Sequence, residues 1–323
     1  SMLGYLYFLV LSGVDLSLVL PAVSAFAMAA IKLMPAAIRI SGAISGIHYR
    51  KKSLDRICDA LKEGTGEESR IYGRLLCRDE KEEPQDMLYI KDLSYHYPSG
   101  KRKILDHADA SFPLGKISCI IGESGVGKTT LADLILGLLI PEEGEIYANK
   151  SGTASMKIGY IPQSSFMLDD SIKGNIAFGL ENKNMDEKKV MECLQAVGLD
   201  SFIKSLPDGL DTPIGEGGIR LSGGQAKRLA LARTLCHKRP VLVLDDPFSA
   251  LDKETEKQVF ASLKKLAADS IVILLSHRLY LFPQMDQVIF MEKGRVITGS
   301  HESVLKNCPE YRKLYGEQEG GAD

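Results

Sequence analysis

The chain has 323 residues, 45% of them hydrophobic and 25% charged, with a formal net charge of −2. That length can hold two modest domains, the composition is that of a globular protein, and the charge balance excludes the basic excess of a nucleic-acid binder. The six cysteines, at 58, 77, 119, 193, 236 and 308, lie at least nineteen positions apart, which excludes CxxC metal and redox pairs and predicts free thiols in a reducing cytosol.

From Leu16 to Ile38 runs "LSLVLPAVSAFAMAAIKLMPAAI", 23 residues with Lys32 as the only charge. At about 1.5 Å per residue this crosses a hydrocarbon core of about 30 Å and predicts a membrane helix. Pro21 and Pro35 are tolerated in such helices. Lys32, Arg39, Arg50, Lys51 and Lys52 gather downstream, so the positive-inside rule places that end in the cytoplasm. A signal peptide would carry its basic residues ahead of the apolar stretch, and here they follow it; the plainer alternative is a buried helix of a soluble protein. Upstream, "MLGYLYFLVL" is too short to span and reads as the stump of a preceding helix. The leading Ser1-Met2 resembles an expression scar, which fits a piece of a longer membrane protein. Beyond the span, Ile40, Ile44, Ile47, Leu54, Ile57 and Leu61 recur at helical spacing and predict a helix leaving the membrane. The polar, acidic stretch 62–86 marks a linker. The predicted organisation is thus a membrane fragment with its cytoplasmic extension at 1–61, a linker at 62–86 and a second domain at 87–323.

That domain opens its chemistry with "KISCIIGESGVGKTTLADLILGLL", an apolar strand, a glycine turn and an apolar-periodic helix. It contains GxxxxGK[ST], with Gly122, Gly127, Lys128 and Thr129 in the fixed places and Glu123, Ser124, Gly125 and Val126 between them. Backbone N–H groups in such a loop, Gly122 to Thr130 here, curl round phosphate oxygens at a helix N-terminus. Lys128 reaches the β- and γ-phosphates, and the Thr129 hydroxyl binds magnesium. Next, "IRLSGGQAKRLALARTL" places Leu221-Ser222-Gly223-Gly224-Gln225 at the start of a second helix, a serine cap and two glycines that again face an anion. Then "VLVLDD" gives a buried strand ending in Asp245 and Asp246, the first of which can hold Mg2+ at the nucleotide.

These motifs, with "SALD" at 249–252 and the lone histidine of "LLSHRL", stand in the order and approximate spacing of ATP-binding cassette domains. The chain resembles that family over residues 87–317. The resemblance implies an α/β P-loop fold with a parallel-sheet core, an antiparallel β-subdomain and a helical signature subdomain near 165–235. It also implies ATP and Mg2+ as ligands, sandwiched between two cassettes paired head to tail. Ser222, Gly223, Gly224 and Gln225 would then complete the partner's site. By the same resemblance Tyr97 stacks on adenine, Gln163 joins magnesium and the attacking water to the membrane domain, His277 contacts the γ-phosphate and Asp252 communicates across the dimer. Glu216, in a glycine loop before the signature, fits exporter-type cassettes. The catalytic set is Lys128, Gln163, Asp246 and His277, and the metal set Thr129, Gln163 and Asp245. The N-terminal helix followed by a cassette resembles the last membrane helix of exporter-type half-transporters, and "LMPAAIRI" looks most like lipid-linked oligosaccharide flippases. This implies the cell membrane, with the cassette on its cytoplasmic face.

Asp246 departs from the family pattern, which has glutamate there to polarise water. A shortfall of about 1 Å is worth roughly 10²-fold in rate, or about 2.7 kcal/mol. Three readings follow: a homodimer in which Asp246 works, the Asp-bearing half of a heterodimer, or an ATP-dependent assembly switch. A non-transport cassette ATPase is the alternative from another class, and the membrane helix directly ahead of the cassette weighs against it.

Overall fold

Two units make up the chain, Ser1–Ser69 and Arg70–Asp323. The computed structural model describes residues 16–64 and 74–319, apart from breaks at 82, 85, 99, 101, 151–154, 180–185 and 250. The stump read at 2–11 lies outside the described residues. In the first unit one helix, α1 (Leu16–Gly64), runs 49 residues through Pro21 and Pro35 without interruption. The membrane stretch and the helix beyond it are therefore a single element, about 73 Å long at ~1.5 Å per residue. Phe26, Met28, Ile31, Leu33, Met34 and Ile38 are all exposed, and Ala25, Ala29 and Ala36 fill most of the face between them, which Lys32 shares. A helix apolar all round has no aqueous face and suits lipid or other helices. Among the described residues it is the one helix long and apolar enough to cross a membrane.

The second unit is built on ten strands, β1 (Arg74–Arg78), β2 (Met87–His96), β3 (Lys103–Pro113), β4 (Ile117–Ile121), β5 (Glu143–Asn149), β6 (Ser155–Ile161), β7 (Val241–Asp245), β8 (Ile271–Leu275), β9 (Gln287–Glu292) and β10 (Arg295–Gly299). They order as β10-β9-β4-β8-β7-β6-β1-β5-β2-β3. The stretch from β9 to β6 is parallel, and β2, β3 and β5 form the antiparallel part. Strands β4 and β8 are buried at every residue and β7 at all but its last, which is why "ISCII", "VLVLD" and "IVILL" read as unbroken apolar runs rather than alternating ones. Each valine, leucine and isoleucine in them contributes roughly 1.5–3 kcal/mol on leaving water. Asp245 pairs with Leu275 across β7 and β8, and Ile120 with the same Leu275 across β4 and β8. The three strands thus end level, and Gly122, Asp246 and His277 emerge at one edge of the sheet.

Helix α2 (Lys128–Ile135) follows β4, and α3 (Ile172–Ala177), α4 (Glu187–Ala196), α5 (Asp200–Ser205) and α6 (Gly223–His237) form the helical subdomain before β7. Its core joins Ile172, Ile176, Val190, Leu194 and Leu229. Helix α7 (Lys253–Ala267) packs behind β8, and α8 (His301–Asn307) and α9 (Pro309–Glu319) close the chain.

Two expectations need correction. The stretch 62–86 holds the end of α1 and strand β1, which pairs with β5 through Cys77 and Ala148 and with β6 through Leu75 and Met156. The cassette sheet thus begins before Met87. Charged residues on both sides of "RLLCR" hid a strand whose Leu75 is buried. The cysteines are not all free either: Cys193 on α4 and Cys236 on α6 are bonded, with Cα atoms 5.9 Å apart across 43 residues of sequence. Packing of α4 on α6 brings them together, and a rule based on short spacings cannot see that. Cys58, Cys77, Cys119 and Cys308 are free thiols.

Candidate active site

The loop between β4 and α2 is shaped by close approach. A Cβ on Gly127 would stand 2.3 Å from Cγ2 of Ile104, at a φ of 116° that disfavours side chains, and one on Gly122 would stand 2.6 Å from the carbonyl oxygen of Met291. Only glycine fits at either place. The result is a tight turn whose amides lead into the N-terminus of α2, where the helix dipole favours anions. Glu123, Ser124, Gly125 and Thr129 are exposed on it, while Val126, Lys128 and Thr130 are buried. The Lys128 ammonium donates to the carbonyls of Gly122 (2.8 Å) and Glu123 (2.9 Å). Burial pushes its pKa down, and the Asp245 carboxylate opposes the shift.

Asp245 ends β7, half-buried. Burial raises its carboxyl above the usual range, Lys227 works most strongly against that, and Asp246 adds to it, while His277 and Lys128 pull it down. Asp246 follows with φ 45°, a left-handed conformation that aspartate tolerates better than most residues. Its N–H donates to the Leu275 carbonyl on β8 at 2.9 Å, and its own carbonyl accepts from the Ser249 N–H and hydroxyl. These bonds fix the second acid beside the end of β8, two residues short of His277. Partial burial and the Lys128 ammonium hold the His277 imidazole below its ordinary pKa, against the pull of Asp246 and Asp245. Lys128, Asp245, Asp246 and His277 therefore share one electrostatic field.

Gln163 lies exposed just beyond β6. Tyr97, 39% exposed, holds its hydroxyl 3.0 Å from Oγ1 of Thr130 and meets Tyr95 edge-on at 5.3 Å between ring centroids. The aromatic ring named from sequence is thus attached to the first turn of α2. Signature residues are engaged with each other. Ser222 Oγ accepts from the Gln225 N–H (3.2 Å) and Gln225 Oε1 from the Ser222 N–H (2.8 Å), a capping box that starts α6 with Gly223 and Gly224 as its first residues. Among the described residues no hydrogen bond or ion pair joins this cap to the phosphate loop. Asp252 also has a local duty: it caps α7, accepting from the N–H groups of Glu254 and Thr255 and from the Thr255 hydroxyl, which hold its carboxyl below the ordinary value.

Two groups at the site escaped the sequence reading. Lys227 on α6 is 5% exposed and donates to the carbonyls of Pro162, Gln163 and Asp245. Its signal in the sequence was slight, since α6 buries residues on several of its sides and Lys227 is marked only by lying four residues before buried Leu231. Glu256, 2% exposed on α7, binds Arg278 and the Tyr280 hydroxyl and so anchors the segment that carries His277. Nothing in the spacing of those three residues announces it.

A family profile described as ABC transporter matches residues 105–249, from β3 through the phosphate loop and signature to the two aspartates. An ATP-dependent lipid A-core flippase of Desulfotalea psychrophila is 32% identical over 284 residues, covering 83% of this chain and 49% of that protein. One of the same description from Cupriavidus pinatubonensis is 33% identical over 256 residues, covering 73% and 43%. The chain thus spans about half the length of these curated relatives. The solved structure of a bacterial Atm1-family ABC exporter with ATP bound aligns with a TM-score of 0.65 at 28% identity, over 75% of this chain and 44% of that one. The chain belongs to the ABC transporter family, as an exporter-type ATPase cassette preceded by a long helix.

Proposed function

We propose that this chain is the ATP-binding and ATP-hydrolysing part of a membrane exporter or flippase, which works as a head-to-tail pair and couples closure on ATP to movement of an amphipathic substrate. The observation that carries the reading is the meeting of the phosphate loop, Asp245, Asp246 and His277 at one edge of the parallel sheet. ATP lies along Gly122 to Thr130 with Tyr97 against the adenine. Thr129, Gln163 and Asp245 offer a hydroxyl, a carboxamide and a carboxylate oxygen, the hard donors that suit Mg2+, and a bound Mg2+ would draw charge off the β- and γ-phosphates. Lys128 exchanges its two loop carbonyls for phosphate oxygens. Asp246 orients the attacking water and takes its proton, and His277 donates a hydrogen bond to the γ-phosphate. Ser222 to Gln225 of a second copy close the site, and Asp252 relays between copies.

The exposed apolar side chains of α1 over 21–38 support a place in the cell membrane, and Arg39, Arg50, Lys51 and Lys52 beyond them support the cassette on the cytoplasmic face. Relatives described as lipid A-core flippases support an amphipathic, glycan-bearing lipid as substrate. Asp246 favours a second reading, in which this is the weakly hydrolysing half of a heterodimer or an assembly switch. Phosphate release by the full chain in detergent micelles decides between them. In the working-base reading the parent far exceeds Lys128→Ala and Asp246→Glu changes little. In the damped-site reading the parent binds ATP yet releases almost no phosphate, and Asp246→Glu restores turnover.

A further inference from the structure

We infer that Lys227 is a positioning residue, which fixes the main chain of Gln163 and Asp245 to the signature helix and so links the two nucleotide sites that one cassette serves. The inference rests on the site and the head-to-tail pairing proposed above. An ammonium has three N–H donors, and that of Lys227 meets three backbone carbonyls: Gln163 at 2.9 Å, Pro162 at 3.1 Å and Asp245 at 3.3 Å. Two of these acceptors belong to the residues whose side chains are proposed on the magnesium side. The third is their neighbour.

The arrangement differs from a simple counter-ion. A lysine present only to balance Asp245 and Asp246 would aim at their carboxylate oxygens, whereas this one spends its donors on main-chain oxygens of two separate segments, the one beyond β6 and the end of β7. It holds them at a fixed distance from α6. That helix starts at the Ser222–Gln225 capping box, about 7.5 Å from Lys227 along the axis at ~1.5 Å per residue, and a capped, hydrogen-bonded turn transmits displacement without stretching. Six residues further on, Arg233 makes a second tie, to the carbonyls of Asn175 and Phe166. Residues 162–175 are thereby held to α6 at both ends. If Ser222 serves the partner's nucleotide, any shift of α6 on closure is delivered to Gln163 and Asp245 of its own site through the Lys227 ammonium.

The bland alternative is a buried lysine that is satisfied and nothing more. Removing it would then lower stability while leaving the catalytic constants of the folded protein in place. The test compares the full chain with Lys227→Met, which keeps the length and loses the donors, Lys227→Gln, which keeps two N–H groups, and Lys128→Ala. We expect kcat for Mg-ATP to fall at least tenfold in Lys227→Met and less in Lys227→Gln, with KM within twofold of the parent. Binding of a fluorescent ATP analogue in EDTA stays at the parental level. The Mg2+ concentration giving half-maximal rate rises several-fold. Amide exchange over residues 160–168 quickens in Lys227→Met and not in Lys128→Ala. Parental kcat and exchange in Lys227→Met overturn the inference, as does a loss of kcat matched by an equal rise in KM and a lowered melting temperature. If the methionine variant does not fold, the glutamine variant decides by the same readings. If the parent releases almost no phosphate, the same comparison is made in the Asp246→Glu background; a parent that binds no ATP, with no turnover restored by Asp246→Glu, would sink the underlying site reading instead, which keeps the two failures apart.

Discussion

Helix α2 starts directly after Gly127 and helix α6 with Gly223 and Gly224, yet they present their N-termini in different ways. Helix α2 is tied into its own sheet: its loop is pressed against Ile104 and Met291, and Lys128 feels Asp245 from β7. Helix α6 satisfies itself, with Ser222 and Gln225 capping each other, and a Cβ at Gly223 would meet nothing within 4 Å. One end is shaped by contacts with its own sheet, and the other is self-capped and open. The contrast teaches where the fold itself demands a glycine, as at Gly127, and where it does not, as at Gly223, so that a demand at the second place would have to come from the proposed pairing.

Substitution at the first helix should do the greatest harm. Lys128→Ala removes the charge that the proposed site turns on the phosphates, and loss of one such donor is worth about 10²–10³ in rate; phosphate release should fall by that factor. Gly127→Ala must in addition push Ile104 aside, so it should lower the melting temperature as well. Gly223→Ala sharpens the contrast. A helical glycine-to-alanine change in open space stabilises by up to about 1 kcal/mol, so the melting temperature should hold or rise while hydrolysis falls at least tenfold. Undiminished hydrolysis in Gly223→Ala would mean that no phosphate approaches the signature.

Glu256→Ala tests the edge from the other side. Breaking a buried ion pair by removing one partner costs about 3–5 kcal/mol, and here it frees Arg278 and Tyr280 next to His277. Urea unfolding should show a loss near the lower bound, because Arg278 is partly exposed. A smaller effect belongs to Asp252. Loss of an N-cap costs about 1 kcal/mol and asparagine caps as well as aspartate, so Asp252→Ala should lower stability while Asp252→Asn should not. If both variants lose hydrolysis equally, the carboxylate has a duty beyond the cap.

What the sequence disclosed was local. The GxxxxGKT loop, the LSGGQ cap and the "VLVLD" strand each lie within a few consecutive residues, and their chemistry follows from adjacency. What it concealed depends on packing between segments far apart in the chain. Cys193 meets Cys236 only because α4 lies on α6, Glu256 meets Arg278 only because α7 lies behind β8, and β1 became a strand only through partners near Ala148 and Met156. Lys227 is intermediate, since its place one turn before Leu231 was readable although its three carbonyl partners were not. Asp252 carried two meanings at once, a family role and a helix cap, and the second could have been read from Thr255 three positions on.

The weakest effect concerns the far end of α6, where His237 closes the last turn and lies against the Ile176 carbonyl at 3.0 Å. A cation there would gain from the helix dipole, but burial comes first and holds the imidazole below its ordinary pKa, with Arg239, Arg233 and Lys189 adding to the shift. A lowered folded pKa means that, as pH falls below about 6.5, the unfolded chain takes up a proton that the folded chain refuses. Stability contributed by the neutral ring is thus full above that pH and is lost as pH falls from there through the folded value. Melting temperatures measured from pH 7.5 down to 5.5 should decline in the parent, and the part of the decline removed by His237→Asn is the share of this residue. Because the imidazole is half-buried in the helical subdomain, the same titration monitored by amide exchange should loosen α6 from its C-terminal turn while the capping box at Ser222 and Gln225 stays protected. A uniform loss of protection along α6 would mean that the helix moves as one rigid rod, with its two ends not independent.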